Sequence, residues 1–319
     1  MLPTLTELEQ AAALVHATMP PTPQYCWKLL SARAGAEVWV KHENHTPVGA
    51  FKVRGGIVYI DHLRRAEPSV KGVIAATRGN HGQSVAFAAG RAGLAAVIVV
   101  PHGNSVEKNA AMRALGAELL EHGHDFQAAY EYALGLARER GLHPFPSYHP
   151  VLARGVGTYA LELFRAAPDL DAVYVPIGLG SGITGVMAAR DALGLKARVI
   201  GVVAENAPAY ALSFAAGKPV ATNSADTMAD GLACRVPVDL AVAAINKGAE
   251  RIVTVSEAEI KAAMRAYFAD THNVAEGAGA AALAALLKER AAMAGKRVGL
   301  ILSGGNVDTA VYRDVLAGS

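Results

Sequence analysis

Apolar positions recur along this chain in two rhythms that alternate almost from end to end. Short unbroken runs (KGVIAAT, AAVIVVP, AVYVPI, ARVIGVVAE, RIVTVS and RVGLILSGG) are rich in β-branched residues and show no in–out alternation. Such runs predict strands buried on both faces, as in a parallel sheet covered by helices. Between them lie Ala-rich stretches of helical length: SVEKNAAMRALGA, DFQAAYEYALGLARER, SEAEIKAAMRAYFAD and EGAGAAALAALLKERAAMAG. The repeated strand–helix order predicts an α/β protein with parallel-rich twisted sheets and helices on both faces. The opening MLPTLTELEQAAALVHATMP has no basic start and is interrupted by Glu7, Glu9 and Gln10, so it predicts an amphipathic helix rather than a signal peptide.

The Pro- and His-rich segment 142–152, LHPFPSYHPVL, is where the chain is expected to cross between two lobes. A small domain of 70–149 would then be inserted in a larger one built from 1–69 plus 150–319. A chain of 319 residues that is 52% hydrophobic and 18% charged suits such a well-buried protein. Its 30 basic and 28 acidic residues form no run of either sign, which argues against nucleic acid and membrane surfaces as partners. No apolar run reaches the roughly 18 residues of a membrane span. Cys26 and Cys234, the only cysteines, are expected as free thiols of a cytoplasmic protein.

Ligands of parallel α/β folds bind beyond the carboxyl ends of the strands, in loops that lead into helices. Three loops stand at such positions: TRGNHGQ (77–83), GLGSGITG (178–185) and SGGN (303–306). A fourth stretch, HTPVGAFKVRGG, follows no continuous apolar run but sets Lys52 between Phe51 and Val53, with Gly49, Gly55 and Gly56 close by. Burial there would lower the pKa of the ε-amine and make it an imine-forming nucleophile; the plain alternative is a surface lysine at a helix start. In TRGNHGQ, free N–H groups at the helix start suit a carboxylate. Asn80 can donate to a phenolate-like oxygen. His81 is an acid–base candidate or a packing group, and Arg78 pairs with an anionic ligand or faces solvent. Ser303 either caps a helix or faces a ring nitrogen.

Gly180, Gly182 and Gly185 have the spacing of a dinucleotide-binding turn, and Glu205 follows at the end of the next apolar run. The loop lies past the middle of the chain, however, and a lysine in a glycine-framed setting has no part in dinucleotide binding. A single phosphate draws on the same physics, with Ser181 and Thr184 adding hydroxyl donors. One phosphate, an imine-forming lysine, an Asn for a phenolic oxygen and a Ser for a ring nitrogen together describe pyridoxal 5′-phosphate.

With those residues in view, the sequence resembles the serine/threonine dehydratase family of pyridoxal-phosphate enzymes, with the tryptophan-synthase-β type of fold (fold type II), over nearly its whole length. GAFKVRGG resembles the family's lysine motif, which implies Lys52 as the Schiff-base residue and Phe51 as the neighbour of the ring. TRGNHGQ resembles its asparagine loop, which implies Asn80 near the 3′ oxygen and Thr77, Arg78, Gly79 and His81 around the substrate carboxylate. Gly178, Leu179, Gly180, Ser181 and Gly182 stand where the family binds phosphate, and Ser303 where a serine meets the pyridine nitrogen. ADGLAC and AEGAGAAALAAL also match.

The departures are informative. Leu179 and Ser181 lean toward the cysteine-synthase form of the phosphate loop, and Ala50 replaces a serine. Arg78 stands where racemases carry a second catalytic serine, which argues against racemisation. Glu205 and Ala209 keep part of a divalent-metal pattern but Ala211 lacks the acidic side chain, so no metal is expected. The chain ends soon after SGGN, so no regulatory domain of the biosynthetic threonine dehydratases is expected in it.

The expected activity is α,β-elimination of a 3-hydroxy-L-amino acid to a 2-oxo acid and ammonia, with Lys52 as the general base. Threonine and serine are the default substrates. Arg78, Ala50 and Val156 are expected to leave room for a larger one, such as 3-phenylserine or 3-hydroxyaspartate. The alternatives are β-replacement of the cysteine-synthase type and a non-catalytic cofactor or nucleotide carrier. A homodimer is the expected assembly.

Overall fold

The computed structural model describes residues 2–318. Its strands are β1 (Gln24–Cys26), β2 (Glu37–His42), β3 (Gly72–Ala76), β4 (Ala95–Val100), β5 (Glu118–Glu121), β6 (His143–Pro144), β7 (Ala172–Pro176), β8 (Arg198–Ala204), β9 (Arg251–Val255) and β10 (Arg297–Leu302). They form a six-stranded sheet in the order β1-β2-β10-β7-β8-β9 and a four-stranded sheet in the order β5-β4-β3-β6. Among the described residues β1–β2 is the antiparallel pairing, and the other strand pairs are parallel. The four-stranded sheet draws on one continuous stretch of chain, from β3 to β6, and the six-stranded sheet on what lies before and after it.

The helices are α1 (Leu5–His16), α2 (Lys28–Ala34), α3 (Lys52–Ala66), α4 (Asn80–Arg91), α5 (Val106–Ala114), α6 (Phe126–Arg140) and α7 (Pro150–Ala166). They continue with α8 (Ser181–Ala192), α9 (Ala209–Ala216), α10 (Asp239–Gly248), α11 (Glu257–Thr271), α12 (Gly277–Lys288) and α13 (Thr309–Ala317). The opening segment is the amphipathic helix its pattern predicts. Thr4 caps α1 and exchanges hydrogen bonds with Glu7, while Leu8, Ala11, Ala12 and Val15 are buried. The small side chains of α12 are buried from Gly277 to Leu286, and this helix packs against β7 and β10 in the main core.

The lysine stretch differs from its sequence reading, because a strand, β2, does precede it. The continuous-apolar criterion passes over EVWVKH, whose inner positions include Lys41 and His42, both fully buried. Ion pairing makes the burial of Lys41 tolerable, and His42 accepts a hydrogen bond from the Trp27 indole at 2.9 Å. Arg54, also fully buried, donates from Nε to Glu43 Oε2 at 2.7 Å and from Nη1 to Glu162 Oε1 at 2.6 Å. Lys41 Nζ reaches Glu162 Oε2 at 2.5 Å, the Thr22 carbonyl at 2.7 Å and Gln24 Oε1 at 2.8 Å. The network joins β2, α3 and α7.

Glycines let α7 lie close to two further helices. A Cβ on Gly155 would stand 2.5 Å from the Arg54 carbonyl oxygen, and one on Gly185 would stand 2.7 Å from the Gly157 nitrogen. So α7 holds the beginnings of α3 and α8 at a fixed separation, and those beginnings carry Lys52 and Ser181.

Candidate active site

Lys52 is the first residue of α3, as its plain reading required, yet it is half-buried rather than exposed. Its side chain lies over the Phe51 ring, with Nζ 4.9 Å from the centroid, and makes no hydrogen bond or ion pair among the described residues. Burial lowers its pKa, and the Glu276 carboxylate partly opposes that shift. The backbone around it is tied to the end of β10. The Phe51 N–H donates to the Ser303 carbonyl at 3.0 Å and the Gly305 N–H to the Gly49 carbonyl at 2.9 Å, while Ala50 forms a bridge with Gly304. Gly49 has a φ of 68°, and a Cβ there would stand 2.5 Å from Asn306 Oδ1.

Thr77 closes the loop after β3. Its hydroxyl accepts from the N–H groups of Gly79, at 3.0 Å, and Gly82, at 3.3 Å. The N–H groups of Asn80 and His81 at the start of α4 are left without partners among the described residues. Arg78 is exposed and unpaired. His81 is packed edge-on against Phe145, with centroids 5.5 Å apart; burial and the Lys52 charge push its pKa down to about 3. It is therefore a neutral imidazole, and its Nε2 has no partner among the described residues.

The loop after β7 enters α8 through Gly180, whose φ of 97° is left-handed. Gly178 is sterically required too, since a Cβ there would stand 2.2 Å from the Gly231 carbonyl. The first N–H that helix α8 satisfies is that of Thr184, bonded to the Gly180 carbonyl at 3.0 Å, so those of Gly180 to Ile183 remain open. Ser181 and Thr184 are buried, and Thr184 Oγ1 has no partner of good geometry, with only the Tyr148 phenol beside it. Ser303, 5% exposed, offers a hydroxyl with no partner among the described residues.

The structure adds a group that the local patterns do not reveal. Asn80 donates from Nδ2 to Glu276 Oε1 at 2.6 Å, and its Oδ1 accepts from Asn306 Nδ2 at 2.9 Å, which leaves one amide proton available. Glu276, N-terminal to α12, also lies 3.6 Å from Lys108 Nζ, which is 3.1 Å from Asp230. Burial raises the pKa of Glu276, with Lys108 and the Asn80 amide opposing. Burial works against the charge on Lys108, but Glu276 and Asp230 outweigh it and raise its pKa. ADGLAC and AEGAG supply Asp230 and Glu276; locally the first reads as a turn and the second as a helix start.

Two expectations fail on geometry. Ala50 is fully buried against Gly304, and Val156, 2% exposed, packs on Gly55 in the contact between α3 and α7. Neither opens space for a substrate, so of the three positions named only Arg78 stays accessible. Glu205 is exposed just after β8, and Ala209 and Ala211 lie in the first turn of α9.

The unsatisfied groups are a phosphate-sized set of N–H donors on α8, an unpaired lysine amine, a spare Asn80 proton and an unpaired serine hydroxyl. Their chemistry fits pyridoxal 5′-phosphate, which carries a phosphate, an aldehyde, a phenolic oxygen and a ring nitrogen.

Comparison with known proteins agrees. The family described as "Pyridoxal-phosphate dependent enzyme" matches residues 17–304. The chain is 36% identical over 308 residues to an L-threonine ammonia-lyase of Thermotoga maritima, covering 96% of this chain and 76% of that protein. It is 32% identical over 319 residues to an L-threo-3-hydroxyaspartate ammonia-lyase of Saccharomyces cerevisiae, covering all of this chain and 98% of that one. The solved structure of the processed form of threonine deaminase isoform 2 from Solanum lycopersicum superposes with a TM-score of 0.89 at 31% identity, over 99% of this chain and 95% of that one.

Proposed function

The chain belongs to the pyridoxal-phosphate-dependent enzyme family, and from that premise we propose that it is an ammonia-lyase. Its substrate is a 3-hydroxy-L-amino acid, converted by α,β-elimination to a 2-oxo acid and ammonia. The observation that carries this reading is Lys52: an amine without a partner, on the Phe51 ring, with its pKa lowered by burial. The relatives named for threonine and 3-hydroxyaspartate support the reaction class.

In this reading the N–H groups of Gly180 to Ile183, with Ser181 and Thr184, hold the cofactor phosphate. The loop from Gly178 to Gly182 shapes that cradle, Asn80 donates to the 3′ oxygen, and Ser303 faces the ring nitrogen. When bound, the cofactor supplies an electron sink for the carbanion formed at the substrate Cα. Burial lowers the pKa of the Lys52 amine and so favours the neutral form that takes the α-proton. The open N–H groups of Asn80 and His81, beside Thr77, Arg78 and Gly79, hold the substrate carboxylate and orient that proton. Ser303 presents a neutral hydroxyl and provides no counter-charge. The substrate loses its β-hydroxyl as water and regains a water on hydrolysis, leaving a 2-oxo acid and ammonia.

We further place the protein in the cytoplasm as a homodimer, with a small domain of 70–149 set into a larger one. Among the described residues no helix is long and apolar enough to cross a membrane, and Cys26 and Cys234 are unpaired.

Borohydride reduction of the cofactor-loaded protein, followed by peptide mapping, tests the lysine. The pyridoxyl group is expected on Lys52, and Lys52→Ala is expected to abolish both the adduct and turnover. A reduced adduct on another lysine in the wild-type protein would overturn the assignment.

A further inference from the structure

Two phenols stand behind the loop 178–182, outside the groups assigned above. Tyr159, fully buried on α7, donates its hydroxyl to the Gly182 carbonyl at 3.2 Å. Tyr210, 1% exposed on α9, donates to the Leu179 carbonyl at 2.8 Å and accepts from the Val238 N–H at 3.1 Å. Burial raises the pKa of both, so both remain protonated donors.

A trans peptide is planar, so fixing a carbonyl fixes the direction of the next N–H on its opposite side. The Leu179 carbonyl shares its plane with the Gly180 N–H, and the Gly182 carbonyl with the Ile183 N–H. Both N–H groups are open at the start of α8. A hydrogen bond at the carbonyl also polarises the amide and makes its N–H a stronger donor. The phenols touch the loop where it has no side chains. A Cβ on Gly180 would stand 3.4 Å from the Tyr210 oxygen, and one on Gly182 would stand 3.5 Å from the Tyr159 oxygen.

We propose that Tyr159 and Tyr210 are positioning residues that preset the Gly180 and Ile183 N–H groups for a phosphate monoester. This rests on the reading of 178–182 as the phosphate loop. Tyr159 has a second contact, edge-on to Phe51 with centroids 6.0 Å apart, so one side chain seats both the phosphate loop and the residue before Lys52. A loop aimed in advance has less order to gain when the phosphate arrives.

The test titrates the full-length apoprotein with pyridoxal 5′-phosphate and with pyridoxal, which lacks the phosphate, using inorganic phosphate as a competitor. The wild-type protein is expected to prefer the phosphorylated form strongly. Tyr159→Phe and Tyr210→Phe each keep the ring and delete one donor. Each is expected to weaken pyridoxal 5′-phosphate binding about fivefold while leaving pyridoxal binding unchanged, and to weaken inorganic phosphate in step. A merely structural role would weaken both cofactor forms equally, and that result, or an unchanged ratio, overturns the proposal. Each variant carries the test alone if the other fails to fold. A wild-type protein that binds pyridoxal as tightly as its phosphate would instead sink the phosphate-loop reading, and the inference with it.

Discussion

Arg78 is the exposed member of a loop whose other residues, Thr77 to His81, are buried or half-buried. Nothing in the described chain pairs with its guanidinium, so a second carboxylate or an aromatic ring on the substrate can reach it without breaking an existing contact. Exposure limits the effect, since a solvated ion pair contributes about 1 kcal/mol at most. Arg78→Ala is therefore expected to lower kcat/KM on 3-hydroxyaspartate by no more than about fivefold and to leave threonine unaffected. Steady-state rates on threonine, 3-phenylserine and 3-hydroxyaspartate check this, and equal losses on all three would remove any selective role. The positions of Lys52, Asn80 and Ser303 at element ends were legible in the sequence: Lys52 from its glycines and Phe51, Asn80 and Ser303 from the apolar runs before their loops. Glu276 was not, because its role arises from contacts with Asn80 and Lys108, which lie far away along the chain. Ala50 and Val156 misled for the same reason, since what fills the space beside them comes from remote segments.

At the scale of elements, α7 decides how far Lys52 lies from the loop 178–182, because it packs against α3 through Gly155 and α8 through Gly157. Gly155→Ala would drive a methyl into the Arg54 carbonyl and the Gly55 Cα, 2.9 Å away, both backbone atoms that cannot rotate aside. The expected cost is about 1–3 kcal/mol, read as a lowered urea midpoint at unchanged slope. Unchanged stability would mean that the helices separate freely and that α7 sets no distance. The strands of the sheet interiors were readable as continuous apolar runs because both their faces are covered. β2 escaped that criterion because two polar residues are buried beside Val38 and Val40: Lys41, paired with Glu162, and His42, which accepts from the Trp27 indole. The short β1, β5 and β6 carry too few residues for any period to show.

The whole molecule buries two histidines that its unfolded chain would expose. Burial, with the His45 charge beside one and the Lys52 charge beside the other, holds His42 at about 4 and His81 at about 3, against an ordinary 6.5. Below pH 6.5 the unfolded chain takes up protons at both positions and the folded chain does not. The stability present above that pH is therefore lost progressively as the pH falls toward 4. Glu162 adds to the loss below 4.5, because its bonds to Arg54 outweigh burial and hold it at about 2. Urea midpoints at fixed cofactor are expected to fall steadily from pH 6.5 to 4, and more gently in His42→Gln; a flat profile would contradict the burial of these rings. The α/β architecture with parallel-rich sheets was legible from the order of elements, whereas the side chain that the substrate carries at Cβ is written in no local pattern. The most direct test of the account is therefore the chemistry itself: 2-oxo acid and ammonia measured together from threonine, serine, 3-phenylserine and 3-hydroxyaspartate. The account predicts equal amounts of both products from at least one of the four, dependent on Lys52. Absence of 2-oxo acid from all of them, with formation of a new amino acid when an activated serine and a thiol are supplied instead, would contradict it.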